Sequence, residues 1–211
     1  MYKTISDVLD VFESFLSRLA SHVDVDVMPG TSDFSSAFLP QQPLNSCLFP
    51  QLEGVESVNL VTNPHKFEIN GGLHFLGTAG QNIDDIRQYT RREAANEGED
   101  VLDVIQSTLE MRHVCPTAPD TLRAFPYVDE DPFVMHECPH VFFAGNQPAF
   151  GSRLVRPPGM PSQAVQVISL PAFRHTRSIA LLDVTSLQCY EVKFDVSNGI
   201  MPQTEEMKVD A

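Results

Sequence analysis

The chain has 211 residues, 42% of them hydrophobic and 20% charged, with a formal net charge of -14. That length suffices for one domain with a sizeable core, and the composition is ordinary for a globular protein. The charge argues against gripping DNA phosphates unaided, which needs many Lys and Arg contacts, and no run approaches the roughly 18 apolar residues of a membrane span.

Residues 1–20 carry Asp7, Asp10 and Glu13 inside an amphipathic pattern, where a secretory signal has a basic start and a bare apolar stretch. Cys47, Cys115, Cys138 and Cys189 are therefore expected as reduced thiols of an intracellular protein, each a small packing residue. The first predicted element is a helix whose inward face is Ile5, Val8, Leu9, Phe12, Phe15, Leu16 and Leu19, recurring at three and four. Thr4 and Asp7 resemble its N-terminal cap. Val23, Val25 and Val27 then alternate with Asp24 and Asp26, the period of a strand, which Pro29-Gly30 ends. The two aspartates have no base or metal ligand beside them, so a solvated strand face is favoured over an acid–base pair.

Residues 31–56 read as loop, with prolines at 40, 43 and 50. A strand is predicted over 57–62, then a hairpin in which KFEIN and LHFLG flank Asn70-Gly71-Gly72. Gly77 and Gly80 should break the chain, and Asn82 should cap a short helix through Ile83, Ile86 and Tyr89. Residues 91–100 are polar. A firmer helix is predicted over about 100–112, with Val101, Leu102, Ile105, Thr108 and Leu109 inward. Prolines 116, 119, 126 and 132 mark a long loop. HVFFA (140–144) is a short buried strand ending at Gly145. Alternation at 165–169, 177–184 and 190–194 predicts an antiparallel run. Residues 197–211 read as a disordered acidic tail, leaving 1–196 as the folded domain. The fold class predicted is α/β layered.

Several motifs are weak. His136-Glu137-Cys138-Pro139-His140, with His113 and Cys115, crowds metal-ligand residue types together, but at one-residue spacings too short to wrap a zinc ion. Gly77-Thr-Ala-Gly80 lacks both phosphate-loop patterns and reads as a tight turn.

Two turns say more. VDVMP runs into Gly30-Thr31-Ser32-Asp33, and HVFFA runs into Gly145-Asn146-Gln147-Pro148; His113 follows the helix between them. This order resembles the calcineurin-type metallophosphoesterases, whose strands end in G-N-H-[DE] and G-H-x-H. The resemblance implies a layered β-sandwich flanked by helices. It also implies lost chemistry: Thr31 stands where the family has a ligand Asn, Ser32 where it has the acid His, and Asn146 and Pro148 where it has two ligand His. Only Asp33 and His113 match in type. The earlier D-x-H and G-D-x-x-D motifs are absent, so the chain is expected to begin inside the domain. No catalytic residue, metal or cofactor is expected.

Within that superfamily, DVDVMPG (24–30), LPQQPL (39–44), LVTNP (60–64), FLGTAGQNIDDI (75–86), PTAPDTL (116–122), DPF (131–133) and ECPHVFFAGNQPAFGS (137–152) resemble the B-subunits of replicative DNA polymerases, and the delta type in particular. The resemblance implies a non-catalytic nuclear scaffold in DNA replication and repair. Its implied partners are the C-terminal metal-binding module of the DNA polymerase delta catalytic subunit and a further accessory subunit, with DNA contacted weakly or indirectly and no membrane. Alternatives are a B-subunit of polymerase alpha or epsilon, or an active metallophosphoesterase. Partner-binding residues are not read from the sequence, though exposed apolar residues of loops 34–50 and 121–135 are candidates.

Overall fold

The computed structural model describes residues 5–69, 71–90, 97–157 and 163–195. Thr4, Asn70, residues 91–96 and the tail expected at 197–211 lie outside the described residues. The chain forms two compact units. One comprises residues 1–65 and 118–132, the other residues 66–117 and 133–211.

The first unit opens with α1 (Ile5–Ala20), continues to β1 (Val25–Val27) and reaches β2 (Val58–Leu60) through two short 3₁₀ turns, Ser46–Leu48 and Pro50–Leu52. β1 and β2 pair in parallel, Val25 opposite Val58. The helix exists where its periodicity predicts it, but only part of the predicted face is inside: Leu16 is buried and Leu9 half-buried. Glu13, Leu16 and Ala20 are buried, while Ile5, Val8, Phe12, Phe15 and Leu19 are exposed. The buried stripe shares Leu16 with the predicted face and is rotated from it by less than the one-residue step of about 100°. Glu13 is tolerated inside because its carboxylate accepts the Gln51 N–H at 2.5 Å, where the second 3₁₀ turn begins, a charge-assisted bond that offsets burial. Asp26 faces solvent as expected, accepting from Asn59 at 2.9 Å and pairing with His65 at 3.3 Å.

The second unit is built on a five-stranded sheet. Its strands are β3 (His65–Ile69), β4 (Leu73–Thr78), β5 (Val141–Gln147), β6 (Gly151–Val155) and β7 (Val165–Pro171), in the order β3-β4-β5-β7-β6. β4, β5 and β7 run parallel, while β6 returns antiparallel to β7. The alternation at 165–169 predicts an antiparallel run with the strands that follow. Instead this segment is a central strand buried on both faces, and its parallel neighbour β5 shares its apolar character, as parallel sheets require. β3 and β4 are neighbours, as the hairpin prediction requires, with Phe67 stacked on Phe75 at 4.7 Å. β6 has no counterpart among the predicted elements.

Between β4 and β5 run α2 (Gln81–Thr90) and α3 (Glu97–Met111), which pack on each other. Val101, Leu102, Ile105, Thr108 and Leu109 of α3 are all buried, as predicted, and so is Val104. Arg87 and Asp100 tie the two helices at 2.8 Å. A short α4 (Phe173–Thr176) leads to β8 (Ser178–Leu182), which pairs antiparallel with β9 (Cys189–Lys193). The architecture is mixed α/β, a central mixed sheet with helices.

Two local expectations fail. Gly77 does not break the chain; it lies within β4 opposite Phe143, whose ring a Cβ at Gly77 would meet at 2.2 Å. Asn82 is no cap either. It is buried, and its side-chain amide donates to the Val114 carbonyl at 2.7 Å, while Gly80 supplies the carbonyl that accepts the first helical N–H, from Asp84. All four thiols are free. Cys47, however, is exposed rather than packed, whereas burial pushes the Cys189 thiol up to about 11.

Candidate functional site

The turn after β1 is held from beneath. Asp33 accepts the Gly30 N–H at 2.7 Å, closing Gly30-Thr31-Ser32-Asp33 on itself. The Gly30 carbonyl accepts from the side-chain amide of Gln41 at 3.1 Å, and the same amide donates to the Ser36 carbonyl at 2.7 Å. Gln41 accepts in turn from Asn63 at 2.8 Å, and their backbones exchange two more hydrogen bonds. Gln41 and Asn63 are both buried. These interior polar groups are satisfied, so they fix the turn instead of penalising it. Thr31, Ser32 and Asp33 are exposed. The Asp33 carboxylate, the one acidic residue matching the phosphoesterase pattern, is engaged by its own turn.

β5 does not end at Gly145 as expected but runs on to Gln147, with a register shift against β7 between Ala144 and Gln147, and the neighbouring strand end holds this last stretch. Gly145, Asn146 and Gln147 close β5, and Thr78, Ala79 and Gly80 close β4 beside it. The two backbones nearly touch: a Cβ at Gly80 would lie 2.1 Å from the Gly145 carbonyl oxygen. Gly80 has φ of 99° and Asn146 has φ of 57°, the left-handed region that Gly accepts freely and Asn more readily than most. The Asn146 amide donates to the Ala79 carbonyl at 3.0 Å. The Gln147 side chain is fully buried; its amide donates to the Gly145 carbonyl at 3.0 Å and to Asp84 at 3.4 Å. Burial raises the Asp84 pKa, against the lowering pull of Arg87 and of that Gln147 bond. Thr78 Oγ1 and Gln147 Oε1 are buried acceptors with no protein partner. Pro148 follows, exposed.

This turn lies at the carboxyl ends of the parallel strands, where open α/β sheets place their ligand sites. One carboxylate, Asp84, stands beside it, 3.4 Å from the Gln147 amide. The oxygens of Thr78, Asn146 and Gln147 are neutral, the Asn146 amide is engaged by the backbone, and Pro148 has no side-chain donor atom. Imidazole and carboxylate are what two clustered ions require.

His113 leaves α3 in an ordered exit. Its backbone N–H donates to the Thr108 carbonyl at 3.1 Å, its Nδ1 accepts the Cys115 N–H at 3.2 Å, and it bridges Val134. Of the other suspected ligands, His136, Glu137 and Cys138 line one cleft of about 430 Å³ with Lys66, Glu68 and His74. His140 stacks on His74, with centroids 5.6 Å apart, and accepts the His74 N–H at 3.0 Å. Among the described residues no three His, Cys, Asp or Glu come together as a metal-binding group.

The residues that sequence reasoning misses are Gln41 and Asn63. Their signal is present: both lie in strings, LPQQPL and LVTNP, that carry the polymerase B-subunit resemblance. What hides their role is that each needs the other, 22 residues away.

Residues 2–152 match the family model for the B-subunit of DNA polymerases alpha and epsilon. The chain belongs to that family. It is 40% identical to the DNA polymerase delta small subunit of Arabidopsis thaliana over 191 residues, 90% of this chain and 41% of that protein. It is likewise 40% identical to the delta small subunit of Saccharomyces cerevisiae, over 89% of this chain and 43% of the relative. It is 37% identical to DNA polymerase delta subunit 2 of Drosophila melanogaster, over 87% and 41% respectively. Within the family the resemblance is thus to the delta type. The chain spans about two fifths of the length of these relatives. Both turns fall inside the family match.

Proposed function

We propose that this chain is part of the non-catalytic B-subunit of DNA polymerase delta, a nuclear scaffold in DNA replication and repair. In this reading it holds the C-terminal metal-binding module of the catalytic subunit and a further accessory subunit. The observation that carries the reading is 40% identity to a delta small subunit across nine tenths of the chain.

We further propose that the domain is a degenerate calcineurin-like phosphoesterase whose site has lost its chemistry. Thr31, Ser32, Asn146 and Pro148 supply neither the imidazoles nor the carboxylates that two bridging metals need. Gly30 and Gly145 keep the strand-to-loop geometry, while Asp33, His113 and Gln147 are engaged in local hydrogen bonds. The remaining role of each turn is architectural: it holds strand ends of its own unit in place. With a net charge of -14, contact with duplex DNA is weak and falls steeply with salt.

The test is co-expression of the full-length gene product with the polymerase delta catalytic subunit, followed by size-exclusion and metal analysis of both the complex and the B-subunit alone. The expected outcome is a stable complex whose metal belongs to the catalytic subunit, with no phosphatase activity in the isolated B-subunit. Failure to co-elute refutes the scaffold reading. About two metal ions per isolated B-subunit, with phosphatase activity, refutes the degenerate-site reading.

A further inference from the structure

Among the described residues of the first unit, the exposed aromatic side chains outside α1 are gathered on two loops that are distant in sequence. Leu39 N–H donates to the Arg123 carbonyl at 3.0 Å, and Phe125 N–H donates to the Leu39 carbonyl at 2.8 Å, a parallel bridge of Leu39 with Ala124. Leu39 is buried and anchors the junction. Its neighbours turn outward. The rings of Phe38 and Phe125 meet with centroids 5.3 Å apart, and each ring-bearing residue stays about two fifths exposed. Phe34 on the first loop, and Tyr127 and Val128 on the second, are exposed as well.

These groups are held, not dangling. Ser36 Oγ accepts the Phe38 N–H at 3.0 Å, and the Ser36 carbonyl accepts from Gln41. The Tyr127 hydroxyl donates to Asp131 at 2.9 Å. An ordered aromatic surface loses little entropy when it binds. A gathering of exposed aromatics of this kind marks an interaction surface.

The charge around it selects the partner. Residues 31–44 and 118–132 contain Asp33, Asp120, Asp129, Glu130 and Asp131 against a single base, Arg123. DNA phosphates are repelled by such a rim, and a second copy would set the same acids against themselves. What fits is a protein segment with apolar anchors flanked by Lys or Arg. We propose that loops 34–39 and 123–128 form a docking surface for a basic, apolar protein segment, with Phe38 and Phe125 as its central contacts and Asp129, Glu130 and Asp131 as its charged rim. The proposal stands apart from the B-subunit reading, since it concerns the chemistry of the segment and not its source.

The test uses the 211-residue chain and a fluorescein-labelled peptide of roughly 14 residues, Lys with Leu and Phe anchors, long enough to cross such a patch. Two control peptides carry Glu for Lys, or Ser for the anchors. The Lys peptide is expected to bind, with both controls weaker by about ten-fold or more. Phe38→Ser with Phe125→Ser should weaken binding similarly. Asp129→Asn, Glu130→Gln and Asp131→Asn together should weaken it several-fold and flatten its salt dependence. If the aromatic variant unfolds, charge reversal decides: Asp129→Lys with Glu130→Lys should prefer the Glu peptide. Hydrogen exchange on the wild-type chain should slow at 34–39 and 123–128 when peptide is added. The proposal is overturned by absence of binding, by equal binding of the Glu peptide, by binding indifferent to Phe38 and Phe125, or by self-association through those two residues.

Discussion

The two units solve the same problem differently. The second closes a core with its own apolar residues: β5 and β7 lie between neighbours, and α3 turns Val101, Ile105 and Leu109 inward. The first has a smaller apolar core, Leu16, Leu39, Leu44 and Phe49, and adds a polar lock to it. Its buried set includes Glu13, Gln41 and Asn63, while Val8, Phe15 and Leu19 of its helix stay exposed. Apolar burial is forgiving of detail, because contact area does the stabilising. A buried polar lock is not, since removing one member leaves its partners without hydrogen bonds.

The largest effect is expected where the second unit's backbones nearly touch. Gly80→Val would place a branched side chain at φ of 99° and against the Gly145 carbonyl. A loss above about 4 kcal/mol is expected, enough to unfold a marginal domain. Thermal unfolding reads it, and a shift of only a degree or two would show that the strand ends can part cheaply.

Gln41→Ala probes the first unit. Its loss removes one hydrogen bond each from the Gly30 carbonyl, the Ser36 carbonyl and the Asn63 amide, which predicts about 1–3 kcal/mol. Hydrogen exchange should accelerate in the first unit while amides of β4, β5 and β7 keep their protection. Equal acceleration in both units would break the contrast, because it would make them one cooperative body.

A smaller effect is expected on α1. Val8→Ser with Phe15→Ser removes apolar side chains that are already about half exposed. Unfolding should move by no more than about 0.5 kcal/mol, and solubility should rise. A loss of several kcal/mol would mean that this face is covered after all.

The smallest expected effect concerns pH. Burial raises the Asp84 pKa above its ordinary 3.8. A carboxyl raised in the folded state favours folding most below the unfolded pKa, and that contribution fades as pH climbs through the folded value. Asp84→Asn should therefore flatten the stability profile just above pH 3.8, a change visible in urea midpoints across that window. An unchanged profile would show that the carboxyl is effectively solvated.

Much of the second unit is legible in the sequence. The inward set of α3, the buried run at 140–144 and the hairpin around Gly71-Gly72 follow from periods of 3.6 and 2 and from turn chemistry, all local properties. The turns at Gly30 and Gly145 are legible as well, through their order along the chain. β6 is not. GSRLV has no clear alternation, and it becomes a strand because β7 offers it an open edge.

From the sequence alone come the places of α1, α2 and α3, the residues of the two glycine segments, and the family the chain resembles; α4 does not. Each rests on spacing or on strings of neighbouring residues. Tertiary packing is what leaves Ile5, Val8, Phe12, Phe15 and Leu19 of the predicted α1 face exposed, sets Gly77 inside β4 under the Phe143 ring, and turns Asn82 to the Val114 carbonyl instead of a helix cap. It also decided that Gln41 and Asn63 lock the turn at Gly30. Periodicity names a face without naming what will cover it, and a polar side chain shows its role only when its distant partner is in place.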